Sequence, residues 1–295
     1  MKSLVEQLKS VDCLVSDGAW GTFLQAKGLP VGACPELWCV DHRADVLDIP
    51  RSYIAAGADM VKTNSFGASR FKLEFFGLAD RVGELNRAAA AISREAAGPD
   101  RHVIASVGPT GKMVLMGDVT EQELYDGFCE QLTALEAGGA DACLIESMFA
   151  LDEACQAIKA ARENTRLEVI CTFTFAPSAQ GGFRSMMGVT PTEMAQSAIA
   201  AGAHVIGTNC GQGFALMVDI VRELRAAAGA APVLVHANAG LPHREGEKDI
   251  FPDTPATVAH EVPLLREAGA RIIGGCCGTT PAHIAAIVKA LKPGR

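Results

Sequence analysis

Long apolar runs are absent from this sequence. No stretch approaches the roughly 20 consecutive apolar residues that a membrane-spanning helix needs, and the opening residues, MKSLVEQLKS, lack the apolar core of a signal peptide. Basic residues are also fewer than acidic ones: the sequence has 26 Lys and Arg and 34 Asp and Glu, which gives a net charge of −8. This balance argues against nucleic acid or an anionic membrane as a partner. We therefore expect a cytoplasmic protein with no membrane and no nucleic-acid partner.

Aromatic residues are scarce, and no linker is evident. Only 5% of the residues are aromatic while 49% are hydrophobic, which is typical of an α/β protein with an aliphatic core. No low-complexity stretch divides the chain, whose length suits one α/β barrel. We predict a single domain that spans residues 1–295.

Four similar junctions recur along the chain. Each ends a segment of helical periodicity with a glycine C-cap and leads at once into a short apolar run. The junction glycines are Gly57, Gly139, Gly202 and Gly269. Further unbroken apolar runs, typical of strands buried on both faces, begin at Cys13, Val103, Val169 and Val233. Eight strands separated by helical segments predict an α/β fold, a (β/α)8 TIM barrel, with a doubly wound open sheet as the competing architecture.

Three of the ten cysteines stand apart from the rest. Most of the others lie in apolar strand-like or helical patterns, where cysteine acts as a small buried residue. Cys210 follows the sixth predicted strand, and the adjacent Cys276 and Cys277 follow the eighth. At one end of a barrel, three thiolates would leave one tetrahedral zinc position open, as in catalytic zinc sites. Because their spacing is not that of a zinc finger, small residues in a tight glycine turn or a vicinal disulfide are equally compatible with the pattern.

Polar residues beside glycines follow nearly every predicted strand. In TIM barrels these strand ends carry the active site, and the glycines suggest a backbone packed closely around a small ligand. Asp17 follows the first strand and Glu146 the fourth. A buried carboxylate without a cation is costly, which favours a ligand role for Glu146, whereas Asp17 could also cap its own turn. His204 and His236 lie inside strands and are expected to be core residues with hydrogen-bond partners.

Two motifs, GTNCGQG (207–213) and GGCCGTTP (274–281), resemble the zinc-binding signatures of the homocysteine S-methyltransferase family. DGAWGTFLQ (17–25), SVGPTGK, SMMGVTP and NAGLP match that family in the same order, so the resemblance covers essentially the whole chain. It implies an enzyme that transfers a methyl group to the thiol of homocysteine to give methionine. It also implies Zn2+ as a cofactor, bound by Cys210, Cys276 and Cys277.

The resemblance further implies how the amino-acid end of the substrate is held. In the family, the opening aspartate and the fourth-strand glutamate help to bind the amino group, which carries over to Asp17 and Glu146. Backbone N–H groups around Gly18, Ala19 and Ser147 are candidate donors to the carboxylate. Asn209 either orients the cysteine loop or touches the substrate.

The methyl donor is left open by the sequence. The motifs DGAWGT and NAGLP are most similar to cobalamin-dependent members of the family, which favours a methylcorrinoid donor, methylcobalamin, carried by a partner protein. A betaine enzyme needs an aromatic cage; Trp38 and Phe66 suit one, but Gly67 stands where such enzymes have a tyrosine. S-methylmethionine is a third donor that no feature excludes. A barrel whose cysteines sense zinc or redox state is the non-enzymatic alternative.

Overall fold

A parallel eight-stranded barrel forms the centre of the protein. The computed structural model describes residues 2–246 and 248–292, and its barrel strands are numbered β1 to β8 in chain order. They are Leu14–Val15, Met60–Lys62, His102–Val107, Ala142–Met148, Glu168–Phe173, Val205–Gly213, Val233–Asn238 and Ala270–Gly275. Hydrogen bonds join them in the order β1-β8-β7-β6-β5-β4-β3-β2, and every pair is parallel. The eight predicted strands and the predicted (β/α)8 barrel are confirmed. The predicted domain limits, 1–295, stay a prediction because they include residues outside the described ones.

Helices connect the strands and pack against the outside of the barrel. The longer helices are Arg43–Ala55, Val82–Ala97, Glu121–Ala137, Leu151–Asn164, Pro191–Ala201, Phe214–Ala227, Pro255–Glu267 and Pro281–Leu291. The shorter ones are Leu4–Leu8, Gly21–Ala26, Trp38–Asp41 and Arg70–Glu74, with 3-10 turns at Ala79–Arg81 and Val114–Met116. Small hairpins in the loops after β5 and β7 pair Ala176–Pro177 with Phe183–Arg184, and His243–Glu245 with Lys248–Ile250. Among the described residues, none of the helices combines the length and hydropathy needed to cross a membrane.

The predicted junction glycines explain why four helices end where they do. Their φ angles lie between 98° and 110°, in the left-handed region that glycine adopts without steric cost. These residues are Gly57, Gly139, Gly202 and Gly269. Each one ends its helix and turns the chain into the next strand.

The barrel closes between β1 and β2 through side chains as well as backbone. The Asp59 N–H donates to the Val15 carbonyl oxygen (2.8 Å), and Asp59 Oδ2 accepts from the Val15 N–H (2.8 Å). Further along, Asp17 Oδ2 accepts from the Lys62 N–H (2.8 Å). Because β1 is only two residues long, the carboxylates of Asp17 and Asp59 accept hydrogen bonds that backbone carbonyl groups would accept in a regular ladder. We call this place the β1–β2 seam.

The barrel interior changes from apolar to polar along the strands. Near their N-terminal ends, inward-facing residues form an aliphatic layer that Leu4 and Leu8 close from below. Its strand residues are Leu14, Met60, Ile104, Ala142, Leu144, Ile170, Val205, Leu234 and Ile272. Residues two apart in a strand share a face. The next layer therefore contains the buried side chains of Ser16, Lys62, Ser106, Glu146, Thr172 and His236. This polar layer lies directly beneath the barrel mouth.

Candidate active site

Three cysteine side chains converge at the barrel mouth. Cys210 lies within β6, and Cys276 and Cys277 directly follow β8. Their Sγ atoms all lie within 4.8 Å of one another, with 4.0 Å between those of Cys276 and Cys277. Thiolates bound to one zinc ion at about 2.3 Å stand roughly 3.8 Å apart at tetrahedral angles. The three residues can therefore hold a single metal ion, and the vicinal disulfide is not formed.

The backbone around Cys210 is bent so that this residue enters the mouth. The register between β6 and β7 slips just after Asn209. Cys210 has a φ of 59°, in the left-handed region that residues other than glycine rarely adopt. The Thr174 hydroxyl donates to the Asn209 carbonyl oxygen (3.0 Å) and fixes the start of the bulge. On the other side, the Cys276 N–H donates to the Ala237 carbonyl oxygen (2.7 Å) and ties the cysteine pair to β7.

The three thiols share their protons unequally. The Cys276 and Cys277 thiols donate hydrogen bonds to Cys210, which holds the pKa of Cys210 well below the usual range of a thiol. The same interaction with Cys210 raises the pKa of Cys276 and of Cys277, and burial raises both further. Cys210 therefore loses its proton more readily than the two donors, Cys276 and Cys277. Binding of a divalent cation by all three requires that the donors lose their protons as well.

A cavity of about 260 Å³ connects the cysteines with the polar layer. The predicted site residues that line it are Gly18, Ala19, Glu146, Ser147, Cys210, Cys276 and Cys277. Asp17 and Asn209 are fully buried and contact the lining residues from behind. Lys62 and Ser106 also line the cavity, although no motif singled them out. A cavity with thiols at one end and charged groups at the other fits a small polar thiol.

Asp17 is saturated with hydrogen bonds from the protein. Its Oδ2 accepts from Trp20 Nε1 (2.8 Å) and from the Lys62 N–H (2.8 Å), and its Oδ1 pairs with Lys62 Nζ (2.9 Å). Ala19, a candidate carboxylate donor, gives its N–H to the Thr279 hydroxyl (3.1 Å). Direct contacts of Asp17 and Ala19 with a substrate stay predictions, because the contacts seen in the structure are internal ones.

Asn209 holds Ser147 in place beside Glu146. Asn209 Oδ1 accepts from the Ser147 N–H (2.8 Å) and the Thr172 hydroxyl (2.7 Å), and its Nδ2 donates to the Ser147 hydroxyl (2.7 Å). Ser147 has a φ of 61°. The Ser106 hydroxyl donates to Glu146, whose pKa is raised by burial although Lys62 opposes the shift. Of the two roles predicted for Asn209, these contacts support the orientation of the loops.

His236 differs from its expected role. It lies in the polar layer, 1% exposed, and neither ring nitrogen has a hydrogen-bond partner among the described residues. Burial and the nearby Lys62 charge lower the pKa of His236 well below its usual value, so the ring is neutral. The prediction of a partnered histidine was wrong for His236. His204 has a partner, since it accepts from the Val169 N–H (2.8 Å), but it lies just before β6 and is only partly buried, so it is not the core strand residue that was expected.

The outer wall of the cavity carries an aromatic ring and a buried carboxylate. Phe66 lines the cavity and is 43% exposed. Glu36 lines the same wall, is 3% exposed and accepts from the Gly67 N–H (2.7 Å). Trp38 instead stacks on His42, with 4.2 Å between the ring centroids. Of the two predicted cage residues, only Phe66 faces the cavity.

Exposed apolar side chains lie on the loops that follow β1, β3, β5 and β7, at the end of the barrel where the cysteines lie. Each is more than half exposed, and we call the set the apolar rim. Its members are Val31, Leu115, Met116, Met186 and Leu241. The apolar rim is therefore a candidate contact surface at this end of the barrel.

Comparisons of sequence identify one family, and a comparison of structure agrees on the fold. The homocysteine S-methyltransferase family model matches residues 14–291. Methionine synthase from Mycobacterium tuberculosis (strain ATCC 25618 / H37Rv) is 33% identical over 297 residues, which cover 94% of this chain and 24% of that protein. Methionine synthase from Mycobacterium leprae (strain TN) is 32% identical with the same coverage, so the chain spans about a quarter of these relatives. The metallated form of the homocysteine methyltransferase MmuM from Escherichia coli superposes with a TM-score of 0.79 at 24% identity, covering 96% of this chain and 98% of that one.

Proposed function

The chain belongs to the homocysteine S-methyltransferase family, and on that basis we propose that it transfers a methyl group to the thiol of homocysteine, giving methionine, with Zn2+ bound by Cys210, Cys276 and Cys277. The observation that carries this proposal is the convergence of three Sγ atoms within 4.8 Å of one another on the wall of a small cavity that Glu146 also lines. The metallated Escherichia coli structure, which shares the fold, supports the assignment of a metal to the cluster.

The proposed reaction needs an activated thiol. A free alkyl thiol has a pKa of about 8.5 and is mostly protonated at neutral pH, which makes it a poor nucleophile. A zinc ion bound by three protein thiolates supplies a fourth position at which the substrate sulfur binds as a thiolate. The chain's own contribution is to present the three cysteines at the end of the cavity and to hold the rest of the substrate in line with them.

Glu146 is proposed to bind the ammonium group of homocysteine. Of the three predicted backbone donors to the carboxylate, Ala19 and Ser147 already donate their N–H groups to Thr279 and Asn209, so Gly18 stays the candidate. Glu146→Gln keeps the shape of the side chain and removes its charge. We expect the KM for homocysteine to rise about 10- to 100-fold, since a hydrogen bond to a charged group contributes about 1.5–3 kcal/mol. Zinc content is expected to stay the same. Steady-state kinetics and metal analysis of one preparation measure both quantities.

The control for this variant is Glu153→Gln. Glu153 is also buried, but it accepts from Thr110 and does not line the cavity. The Glu153→Gln variant is expected to have a KM for homocysteine within about 3-fold of that of the wild type, because Glu153 lies outside the cavity. An unchanged KM in Glu146→Gln would contradict the assignment of Glu146.

The methyl donor is proposed to be a methylcorrinoid, methylcobalamin, carried by a corrinoid protein. The methionine synthases that the chain resembles are about four times its length. The apolar rim supports a donor carried by a protein, because it offers exposed apolar side chains on four loops at the end of the barrel where the cysteines lie. A protein docked on this rim brings its cofactor to the substrate sulfur.

A small cationic donor, S-methylmethionine or betaine, is the second candidate. Glu36 and Phe66 favour it, because a carboxylate and an aromatic face on one wall form a binding site for an onium group. Burial raises the pKa of Glu36, and a sulfonium or quaternary ammonium ion beside it would stabilise the charged form.

Parallel assays distinguish these donors. Zinc-loaded protein and homocysteine are mixed with free methylcobalamin, with a methylcobalamin-loaded corrinoid protein, with betaine or with S-methylmethionine, and methionine is measured by mass spectrometry. We expect methionine with methylcobalamin, formed faster when a protein carries it. If methionine forms only with betaine or S-methylmethionine, the donor is the small cation and not the corrinoid. A protein that binds zinc but forms no methionine with any donor would contradict the proposed enzyme activity. It would support the alternative of a barrel whose cysteines sense zinc or redox state.

A further inference from the structure

Lys62 is a buried cation on the cavity wall for which the proposed reaction has no role. It is the last residue of β2 and belongs to the polar layer, and its side chain is 7% exposed. It lines the cavity together with Glu146 and the three cysteines. Lysine is almost never buried unless it is paired, so its presence in a substrate cavity needs a chemical reason.

The ammonium group of Lys62 has two acceptors in the described part of the chain. Its Nζ lies 2.9 Å from Asp17 Oδ1 and 3.2 Å from the Gly18 carbonyl oxygen. A lysine has three N–H donors, so one donor remains for a ligand. Asp17 is held by Trp20 and by the Lys62 N–H as well, which makes the Asp17–Lys62 pair a fixed unit of the wall.

This pair changes the charge that a substrate meets. Asp17 by itself would offer an anion to a substrate ammonium group, but the Lys62 ammonium group already takes that place. Burial lowers the pKa of Lys62, yet the Asp17 and Glu146 carboxylates outweigh burial and raise it above its ordinary value, so the lysine keeps its charge. Cys276, when it is deprotonated, acts on Lys62 in the same direction. A fixed cation therefore lies within electrostatic range of the cysteine cluster.

We propose that Lys62 selects the acceptor by binding its carboxylate, and that the protein methylates short thiol acids as a class, with or without an α-amino group. This rests on the thiol methylation proposed above and adds the recognition of the acid. A short thiol acid spans the cavity with its sulfur at the cysteines and its carboxylate at Lys62, in a charge-assisted hydrogen bond. Glu146 adds a contact for acceptors that carry an amino group. Asp17 is then the positioning residue for Lys62.

Three thiols that keep the same spacing between the sulfur and each charged group test the proposal. Homocysteine carries both charged groups, 4-mercaptobutyrate lacks the amino group, and 3-mercaptopropylamine lacks the carboxylate. Relative to homocysteine, we expect kcat/KM to fall about 10-fold for 4-mercaptobutyrate and about 100-fold or more for 3-mercaptopropylamine. A wild-type protein that prefers the aminothiol to the thiol acid would overturn the proposal.

Lys62→Met measures the contribution of the ammonium group. We expect kcat/KM for the two thiol acids to fall about 100-fold, with 3-mercaptopropylamine and the zinc content unaffected. Because this variant leaves Asp17 unpaired, Lys62→Met/Asp17→Asn serves as a second variant with a neutral pair, and it should show the same selectivity. Lys27→Met is the control, since it breaks an ion pair with Asp48 outside the cavity. Equal losses for all three thiols in both Lys62 variants would contradict the proposal.

Calorimetric titration of zinc-loaded protein with the same thiols, in the absence of a donor, separates this proposal from the reaction on which it rests. If no donor supports methylation of any thiol, the proposed function fails. Binding of the two thiol acids that is lost in Lys62→Met would still support recognition of the acid. Equal affinity for all three thiols would overturn it.

Discussion

A Cys276→Ser variant is expected to lose its zinc and its methyl transfer together. The Cys276 Sγ atom lies 4.0 Å from that of Cys277 and within 4.8 Å of that of Cys210, so its removal leaves two protein thiolates. Loss of a residue that merely supports a ligand already costs about 10- to 100-fold in metal affinity. Loss of a ligand should therefore lower zinc affinity by more than about 100-fold. Metal analysis of protein purified under reducing conditions, together with the methionine assay, checks both outcomes.

Cys155→Ser is the matched control for this experiment. Cys155 lies in the helix Leu151–Asn164 and does not line the cavity, so the variant should keep zinc and activity. Full zinc occupancy and full activity in Cys276→Ser would refute the metal centre. Loss of zinc with full activity would show that the metal has no part in the reaction.

Replacing Asp17 by alanine is expected to destabilise the fold strongly. The change leaves the buried Lys62 ammonium group without its counter-ion, and it removes the acceptor of the Trp20 Nε1–H and of the Lys62 N–H at the β1–β2 seam. Deleting one partner of a buried ion pair costs about 3–5 kcal/mol. Urea unfolding followed by circular dichroism measures the free energy of unfolding, and a loss in that range is the expected result.

Two comparisons locate the origin of this effect. Asp48→Ala breaks the ion pair with Lys27, in which Asp48 is 62% exposed, and it should cost no more than about 1 kcal/mol. Lys62→Met/Asp17→Asn should recover part of the stability lost in Asp17→Ala, because it removes the unpaired buried charge. A loss below about 1 kcal/mol in Asp17→Ala would show that the pair and the seam are not what holds β1 to β2.

The fold was predictable because its signals are local. Each junction glycine adopts a left-handed φ that other residues rarely adopt, and the apolar run that follows needs no partner to be recognised as a buried strand. Eight such runs in alternation with helical segments leave few architectures to choose from. The closure of β1 on β2 was not predictable in the same way, since Asp17 and Lys62 are 45 residues apart.

The part of the site whose chemistry follows from the residue types was predictable from the sequence. The part that depends on which side chains meet in the folded barrel was not. Cysteines at the ends of two strands made a shared metal site one of the predictions, the family motifs favoured it, and the structure brings Cys276 and Cys277 together with Cys210. A lysine at the end of an apolar strand, by contrast, usually extends its ammonium group to solvent. Only the closed barrel turns Lys62 inward, onto Asp17 and the cavity. The same holds for His236, whose burial in the polar layer depends on the direction of its side chain.

The bend at Cys210 has a consequence for how the protein acquires its ion. Cys210 and Ser147 are the two non-glycine residues of the described chain with positive φ, and Asn209, hydrogen-bonded to Ser147 and to Thr174, lies between them. Such conformations cost about 1–3 kcal/mol each and persist only where the surrounding structure enforces them. Here the folded barrel enforces them, so the ligand loop is preorganised and the ion does not have to assemble it. A zinc finger unfolds when its metal is removed, because binding and folding are one event. In this barrel we expect the two events to be separate, so that the proposed zinc ion would bind to, and leave, a scaffold that keeps its shape.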